Sequence, residues 1–148
     1  MIEIDKHSSY KLYWIDFSNS QKEKIQNTLN ELNLKVLDIG LELAAFLKDK
    51  TLDDAINNIA DYVTFLFDKH LNIDSKNDVS YVIITNIGFI LEPFLMVDTV
   101  RLLRTYSKHT GVVLLWDGLV LDNSLFFWQN NPEFQINFAD TKITKIDL

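Results

Sequence analysis

The segment YVIITNI, at residues 81–87, gives the strongest indication of the fold of this chain. It is an almost uninterrupted apolar run, and VVLLW at residues 112–116 is a second one. Such runs are typical of central strands that are covered on both faces, as in parallel sheets. Strand-like and helix-like segments alternate around them, which predicts a doubly wound, three-layer αβα domain with a mostly parallel sheet.

The segments before residue 81 supply the other elements of this pattern. KLYWIDF at residues 11–17 and LKVLDI at residues 34–39 read as strands, with Gly40 as a turn and a helix over residues 41–50. Ser20 and Glu23 fit a capping box at the start of a helix between the two strands. Thr51 and Asp54 fit a second one, at the start of a long helix with one apolar stripe. The polar residues 72–78 are predicted to form a loop.

After residue 87 the pattern continues and then changes. Asp98 is a candidate N-cap for a short helix before the second apolar run. Beyond Asp122 the segments SLFFW, FQINF and TKITKIDL are short and partly alternating. They predict short C-terminal strands, placed at the sheet edge or in a small β appendage.

Length, charge and composition limit the classes of function. The 148 residues fit one domain, 1–148, and 47% of them are hydrophobic. The net charge is −7 with the basic residues scattered, which argues against direct nucleic-acid binding. No apolar run approaches the roughly 20 residues that cross a bilayer. With no cysteine and no signal-peptide pattern in MIEIDKHSSYK, a cytoplasmic protein without membrane contact is expected.

The segment WIDFSNSQKEK, at residues 14–24, lies where a phosphate-binding loop would connect the first strand and helix. When the Walker A pattern G-x-x-x-x-G-K-[ST] is aligned with residues 16–23, only its lysine position matches, at Lys22. The three histidines, His7, His70 and His109, do not have the spacing of metal ligands. No cofactor or metal is therefore expected.

A family resemblance is carried by residues 86–118, NIGFILEPFLMVDTVRLLRTYSKHTGVVLLWDG, and by NNPEF at residues 130–134. These segments resemble the BrxF proteins of type 3 BREX phage-defence systems. The resemblance extends weakly to IGLELAAFL at residues 39–47. It implies a compact P-loop NTPase-like domain and a place among the protein subunits of a bacterial defence system. The matching steps are Asn86-Ile87, Glu92-Pro93, Leu95 with Asp98, Leu102-Leu103 with Ser107, Trp116 with Gly118, and Pro132-Glu133-Phe134.

The chain departs from this family at both nucleotide motifs. The two Walker A glycine positions hold Asp16 and Gln21, and the position of the magnesium-binding hydroxyl holds Glu23. A phosphate loop needs glycines because its backbone takes positive φ angles and approaches the phosphate closely. By resemblance, the two Walker B carboxylates map to Thr85 and Gly88. Both halves of the site have lost their chemistry, which indicates a pseudo-NTPase.

The sequence therefore predicts a non-catalytic accessory subunit that binds other proteins. Phe126, Phe127 and Trp128 form an aromatic block that is a candidate protein-contact anchor. The alternative is a nucleotide-binding ATPase, GTPase or sensor. Its site would be rebuilt from Lys22, Asp16, Glu23 or the acids that follow the strands, Glu92, Asp98 and Asp117. A third alternative is a homodimer that pairs through the edge formed by its C-terminal strands.

Overall fold

A mostly parallel sheet forms the centre of the computed structural model, which describes residues 1–88, 98–126 and 135–148. Its strands lie in the order β2-β4-β5-β1-β9, and β3 pairs with β4 in the antiparallel direction beside β2. The register places Trp14 opposite Leu114, and Ile83 opposite Val113. The predicted α/β fold is confirmed. The strands are β1 (Leu12–Asp16), β2 (Val36–Asp38), β3 (Asn72–Asp74), β4 (Val79–Thr85), β5 (Gly111–Trp116) and β9 (Thr144–Lys145).

The two predicted central strands, β4 and β5, are buried on both faces of this sheet. Every residue of β5 is buried, and so are residues 81–84 of β4. Successive side chains of a strand point to opposite faces, so each strand contributes to two cores. Val82, Val112 and Leu114 belong to one apolar cluster, whereas Ile83 and Val113 belong to the other.

Helices cover both faces and complete three layers. One face packs against α2 (Ile39–Leu47), α3 (Leu52–Lys69) and α4 (Thr99–Tyr106). The other face packs against α1 (Lys22–Glu31) and against the N-terminal segment through Ile2 and Ile4. Within the described ranges, no helix is long and apolar enough to cross a bilayer.

The crossovers run in two directions from the middle of the sheet. The chain passes from β1 through α1 to β2 on one face, and from β2 through α2 and α3 back to β4 on the other. Crossovers of one hand that run in opposite directions must lie on opposite faces. The connection that leaves β5 runs the other way, past β1 to β9, and its Leu125, Ile136 and Phe138 pack on the face opposite α1. A doubly wound sheet opens a crevice at such a point, beyond the carboxyl ends of its strands.

The C-terminal strands form both of the predicted alternatives, a small β appendage and a strand at the edge of the main sheet. Strands β6 (Val120–Leu121), β7 (Ser124–Phe126) and β8 (Gln135–Asn137) make a small antiparallel sheet. Leu125, Ile136 and Phe138 join the larger core cluster, so this small sheet packs on the main body. Strand β9 instead pairs with β1 at one edge of the main sheet.

The predicted helix starts are partly correct. Thr51 caps α3, because its Oγ1 accepts a hydrogen bond from the Asp54 amide at 3.3 Å. The Asp98 carboxylate caps α4 by accepting from the amide of Arg101 at 3.0 Å. The capping box of Ser20 and Glu23 is wrong. Helix α1 begins at Lys22, and its N-cap residue, Gln21, makes no side-chain hydrogen bond.

Two further expectations are corrected. Gly40 is not a turn but the second residue of α2. Residues 72–78 are not all loop, because Asn72–Asp74 is strand β3. The buried residues of this strand are polar, so the strand lacks the alternation of apolar residues that predicts a β-strand. The Asn72 side chain accepts from the Lys35 amide at 2.8 Å and donates to the Lys35 carbonyl at 3.0 Å, so it joins the end of β3 to the start of β2.

Asp74 is the most strongly hydrogen-bonded carboxylate of the described residues. Only 2% of the residue is exposed, and its oxygens accept from the Ile4 amide at 2.8 Å and the Asn77 side chain at 2.8 Å. The amides of Lys76 and Asn77 donate to it as well. Burial acts to raise the pKa of Asp74, but these hydrogen bonds outweigh it and hold the pKa below its usual value. Asp74 therefore fixes the N-terminal segment to the β3–β4 hairpin.

We predict that Asp74→Ala lowers the free energy of unfolding by about 2 to 3 kcal/mol, because it leaves buried amides without an acceptor. The folded-state pKa is depressed, so the wild-type contribution is complete above the unfolded pKa of about 3.9 and is lost as pH falls through the folded-state pKa. Urea unfolding at pH 7 and pH 3 measures both effects. The exposed Asp49→Ala is the control, and equal losses in the two variants would contradict the assignment.

Candidate functional site

The crevice beyond the carboxyl ends of the strands is a cleft of about 1180 Å³. Helix α1 forms one wall with Lys22, Gln26 and Asn30. Residues at or just after the carboxyl ends of β2, β4 and β5 form most of the remaining lining. They include Asp38, Gly40, Thr85, Asn86, Gly88, Trp116 and Asp117. This is the place where doubly wound sheets bind their ligands.

The loop between β1 and α1 is closed by its own hydrogen bonds. The Asp16 carboxylate accepts from the Ser18 amide at 3.0 Å. The Ser18 carbonyl then accepts from the amides of Gln21, at 2.9 Å, and Lys22, at 2.8 Å. Three backbone donors of this loop are therefore used within the loop itself.

Asp16 carries a negative charge at this position. The hydrogen bond from the Ser18 amide is the main cause that lowers the pKa of Asp16, and it outweighs the opposing effect of partial burial. A hydrogen bond from the Ser18 hydroxyl and the nearby charge of Lys145 lower this pKa further. The carboxylate is ionised at neutral pH, so it repels a polyphosphate near the end of β1.

The structure brings some of the sequence-predicted site residues together and separates others. Lys22, Thr85 and Gly88 line the same cleft. Asp16, Gln21 and Glu23, all within the described part, do not belong to its lining. The Lys22 ammonium lies 5.3 Å from the centre of the Phe17 ring, within cation–π distance.

Asp38 and Asn86 form a pair in the cleft that sequence reasoning missed. The Asn86 side chain donates to the Asp38 carboxylate at 2.9 Å, and the same carboxylate caps α2 through the Leu41 amide at 2.9 Å. Asn86 has a φ of 59°, a left-handed conformation that asparagine tolerates better than most residues. A Cβ at Gly40 would lie 3.1 Å from the Asn86 Cβ, so glycine permits this close approach. Two sequence features could have indicated this pair: an aspartate at the N-cap of a helix and an asparagine directly after a strand.

The remaining candidates are spread over the chain. Asp117 lines the cleft, whereas Asp98 serves as the cap of α4. Phe126 is half-buried in β7. Glu92, Phe127 and Trp128 lie outside the described residues. Among the residues that the structure describes, no three histidine or acidic side chains are grouped to hold a metal ion.

Chemically, the cleft offers carboxylates, amides and one ammonium group to a polar ligand. Its described lining contains neither serine nor histidine, so it does not hold a serine–histidine pair. Comparison with protein-family models, with curated proteins and with solved structures finds no match for this chain. Its function is therefore argued from this geometry.

We predict that Asp16→Ala opens the loop, because the Ser18 amide loses its acceptor. The hydrogen exchange of the Ser18, Gln21 and Lys22 amides should rise about fivefold, which corresponds to the roughly 1 kcal/mol of one hydrogen bond. Exchange measured by NMR at constant pH tests this. Asn19→Ala, in the same loop, is the control, and unchanged exchange in Asp16→Ala would show that the carboxylate does not hold the loop.

Proposed function

We propose that this chain is a non-catalytic, protein-binding subunit on a P-loop-like scaffold that has lost its nucleotide site. In this proposal it acts in the cytoplasm as an accessory component of a bacterial phage-defence system. The observation that carries the proposal is the closed loop between β1 and α1. Its internal hydrogen bonds occupy the backbone donors on which phosphate binding depends.

A phosphate loop binds its ligand through backbone amides. Successive amides in such a loop turn inward as a nest, and this arrangement requires some residues with positive φ. Within the described residues 16–21, no φ angle is positive. The amides of Ser18, Gln21 and Lys22 already donate to Asp16 and Ser18. A phosphate here would have to break three hydrogen bonds beside an ionised carboxylate.

The magnesium half of the site supports the same proposal. Thr85 ends β4 and Gly88 follows it, and both line the cleft in the positions that the resemblance assigns to the Walker B acids. Neither residue supplies a carboxylate. Glu23 stands where a hydroxyl would bind the metal. Magnesium in NTPases is usually held by one or two carboxylates together with the substrate phosphates, and the residues at these positions supply no metal-binding carboxylate from the end of β4.

A row of aromatic rings on α2 and α3 supports protein binding. This aromatic row comprises Phe46, Tyr62 and Phe65, with ring centres 4.0 Å and 6.0 Å apart. Lys50 lies 4.7 Å from the Phe46 ring, and Lys69 lies 5.0 Å from the Phe65 ring. Phe65 is 51% exposed. Stacked rings held in place present a large, rigid contact area, which is typical of interface anchors.

A second candidate function is the binding of a nucleotide in a rebuilt site. The cleft, at about 1180 Å³, is somewhat larger than the roughly 300 to 1000 Å³ of common small-molecule sites, so it has room for a nucleotide. Under this alternative Lys22 would be the cationic contact, and Asn86 and Asp38 would bind polar groups of the ligand. The closed loop argues against a triphosphate bound in the ordinary P-loop manner.

We predict that ATP, GTP and ADP, each with magnesium, give no binding heat in calorimetry at micromolar concentrations. Lys22→Ala should change neither this result nor the free energy of unfolding by more than about 0.5 kcal/mol, because Lys22 is exposed. Micromolar affinity in the wild type would overturn the proposal. A loss of that affinity in Lys22→Ala would then establish the second candidate.

We predict that Phe65→Ser separates the chain from its partner without unfolding it. The exposed position limits the stability loss to about 1 kcal/mol. Light scattering after size-exclusion chromatography should show a hetero-complex for the wild type, taken from the cells that produce it, and a free monomer for Phe65→Ser. Ile73→Ser, an exposed apolar residue on β3, is the matched control. A wild-type monomer would contradict the proposal, and a mass of two copies would indicate the homodimer instead.

A further inference from the structure

Lys11 is a buried cation for which the described structure provides no counter-ion. Only 6% of the residue is exposed. Its ammonium donates to the carbonyls of Ser8 and Lys108, each at 2.9 Å. The ion pairs among the described residues join Lys76 to Glu3 and Lys145 to Asp147, and neither involves Lys11. Because a buried charge is costly without an opposite charge, this position calls for an anion.

The backbone of Lys11 holds the side chain in place. Its amide donates to the Ser107 carbonyl at 2.8 Å, and its carbonyl accepts from the Val112 amide at 2.8 Å. These bonds tie it to the end of α4 and to β5. The two carbonyls at the ammonium satisfy two of its three N–H donors, and the Lys108 carbonyl follows the negative end of the α4 dipole. This accounts for part of its stabilisation and leaves one donor for a ligand.

Lys11 forms part of the wall of an open cleft of about 590 Å³ near the amino ends of β4 and β5, here called the basic cleft. Lys6, Lys108 and His109 line it. The hydroxyl-bearing residues of its lining are Ser8, Ser9, Ser80 and Thr110. Asp78 is the carboxylate in this lining. Three lysines against one aspartate make the basic cleft positive in a chain whose net charge is −7.

We propose that the basic cleft binds a small oxyanion of the phosphate type, as the free ion or as a phosphate monoester, with Lys11 at its centre. Ammonium and hydroxyl groups are donors, and a tetrahedral oxyanion has several acceptor oxygens that they can share. The size of the cleft and the acidic remainder of the chain favour a small anion over a nucleic acid, which the net charge would repel. No P-loop contact is involved, so this site is independent of the function proposed above.

The test is an NMR titration of the full chain with sodium phosphate at constant ionic strength, with sodium chloride as the matched salt. Phosphate should shift the amide signals of Lys11, Ser80 and Thr110 in a saturable way at about millimolar concentrations, and chloride should not. A parallel titration with phenyl phosphate distinguishes a monoester site, which binds it more tightly, from a site for the free ion. Equal, non-saturating shifts with phosphate and chloride would overturn the proposal.

Variants locate the binding. Lys11→Met keeps most of the length of the side chain and removes its charge, so it should weaken phosphate binding by about tenfold or more. Lys142→Met, an exposed lysine outside the cleft, is the matched control. The double variant Lys6→Ser/Lys108→Ser, at exposed positions, should weaken binding about fivefold and decides the matter if Lys11→Met does not fold. A folded Lys11→Met with wild-type affinity, or an unaffected double variant, would refute the site.

Discussion

The burial of β4 and β5 on both faces determines how the other elements are arranged around them. Each of these strands alternates its side chains between two apolar clusters, so each face of the sheet needs its own cover. Helix α1 and the N-terminal segment provide one cover, and α2, α3 and α4 provide the other. A chain that must cover both faces reverses the direction of its crossovers, and this reversal opens the cleft between α1 and the ends of β2, β4 and β5.

The parts of the fold that could be predicted are those whose signal is local. The runs in β4 and β5 are visible because short, consecutive apolar stretches rich in β-branched residues are typical of buried strands. Helix α3 is visible from its stripe and its Thr51 cap. Strand β3 could not be predicted in the same way. Its buried residues, Asn72 and Asp74, are polar and are satisfied by partners 37 and 70 residues away. Burial of polar groups depends on such distant partners, which a local pattern does not contain.

The candidate site, like the fold, could be predicted only in part from the sequence. The Walker A pattern and the family resemblance placed Lys22, Thr85 and Gly88 in one site, and the three residues line one cleft. The conformation of the β1–α1 loop could not be predicted, because Ser20 and Glu23 satisfied the capping pattern as a pair. In the structure the Asp16 carboxylate accepts a hydrogen bond from the Ser18 amide. The Ser18 carbonyl accepts hydrogen bonds from the amides at the start of α1. The loop had two possible hydrogen-bonding arrangements, the Ser20–Glu23 capping box and the Asp16–Ser18 hydrogen bond. The structure contains the second.

The two clefts at the ends of the sheet differ in the charged residues that line them, and this bears on what each cleft can bind. At the carboxyl end, Asp16, Asp38 and Asp117 lie in or beside the large cleft, so they oppose the anions that such crevices often bind. At the amino end, Lys11 and its neighbours offer donors instead. An anion there would join the N-terminal segment, the end of α4 and the starts of β4 and β5. Its effect on stability would therefore be concentrated at the amino end of the sheet, while the β1–α1 loop keeps the hydrogen bonds that close it.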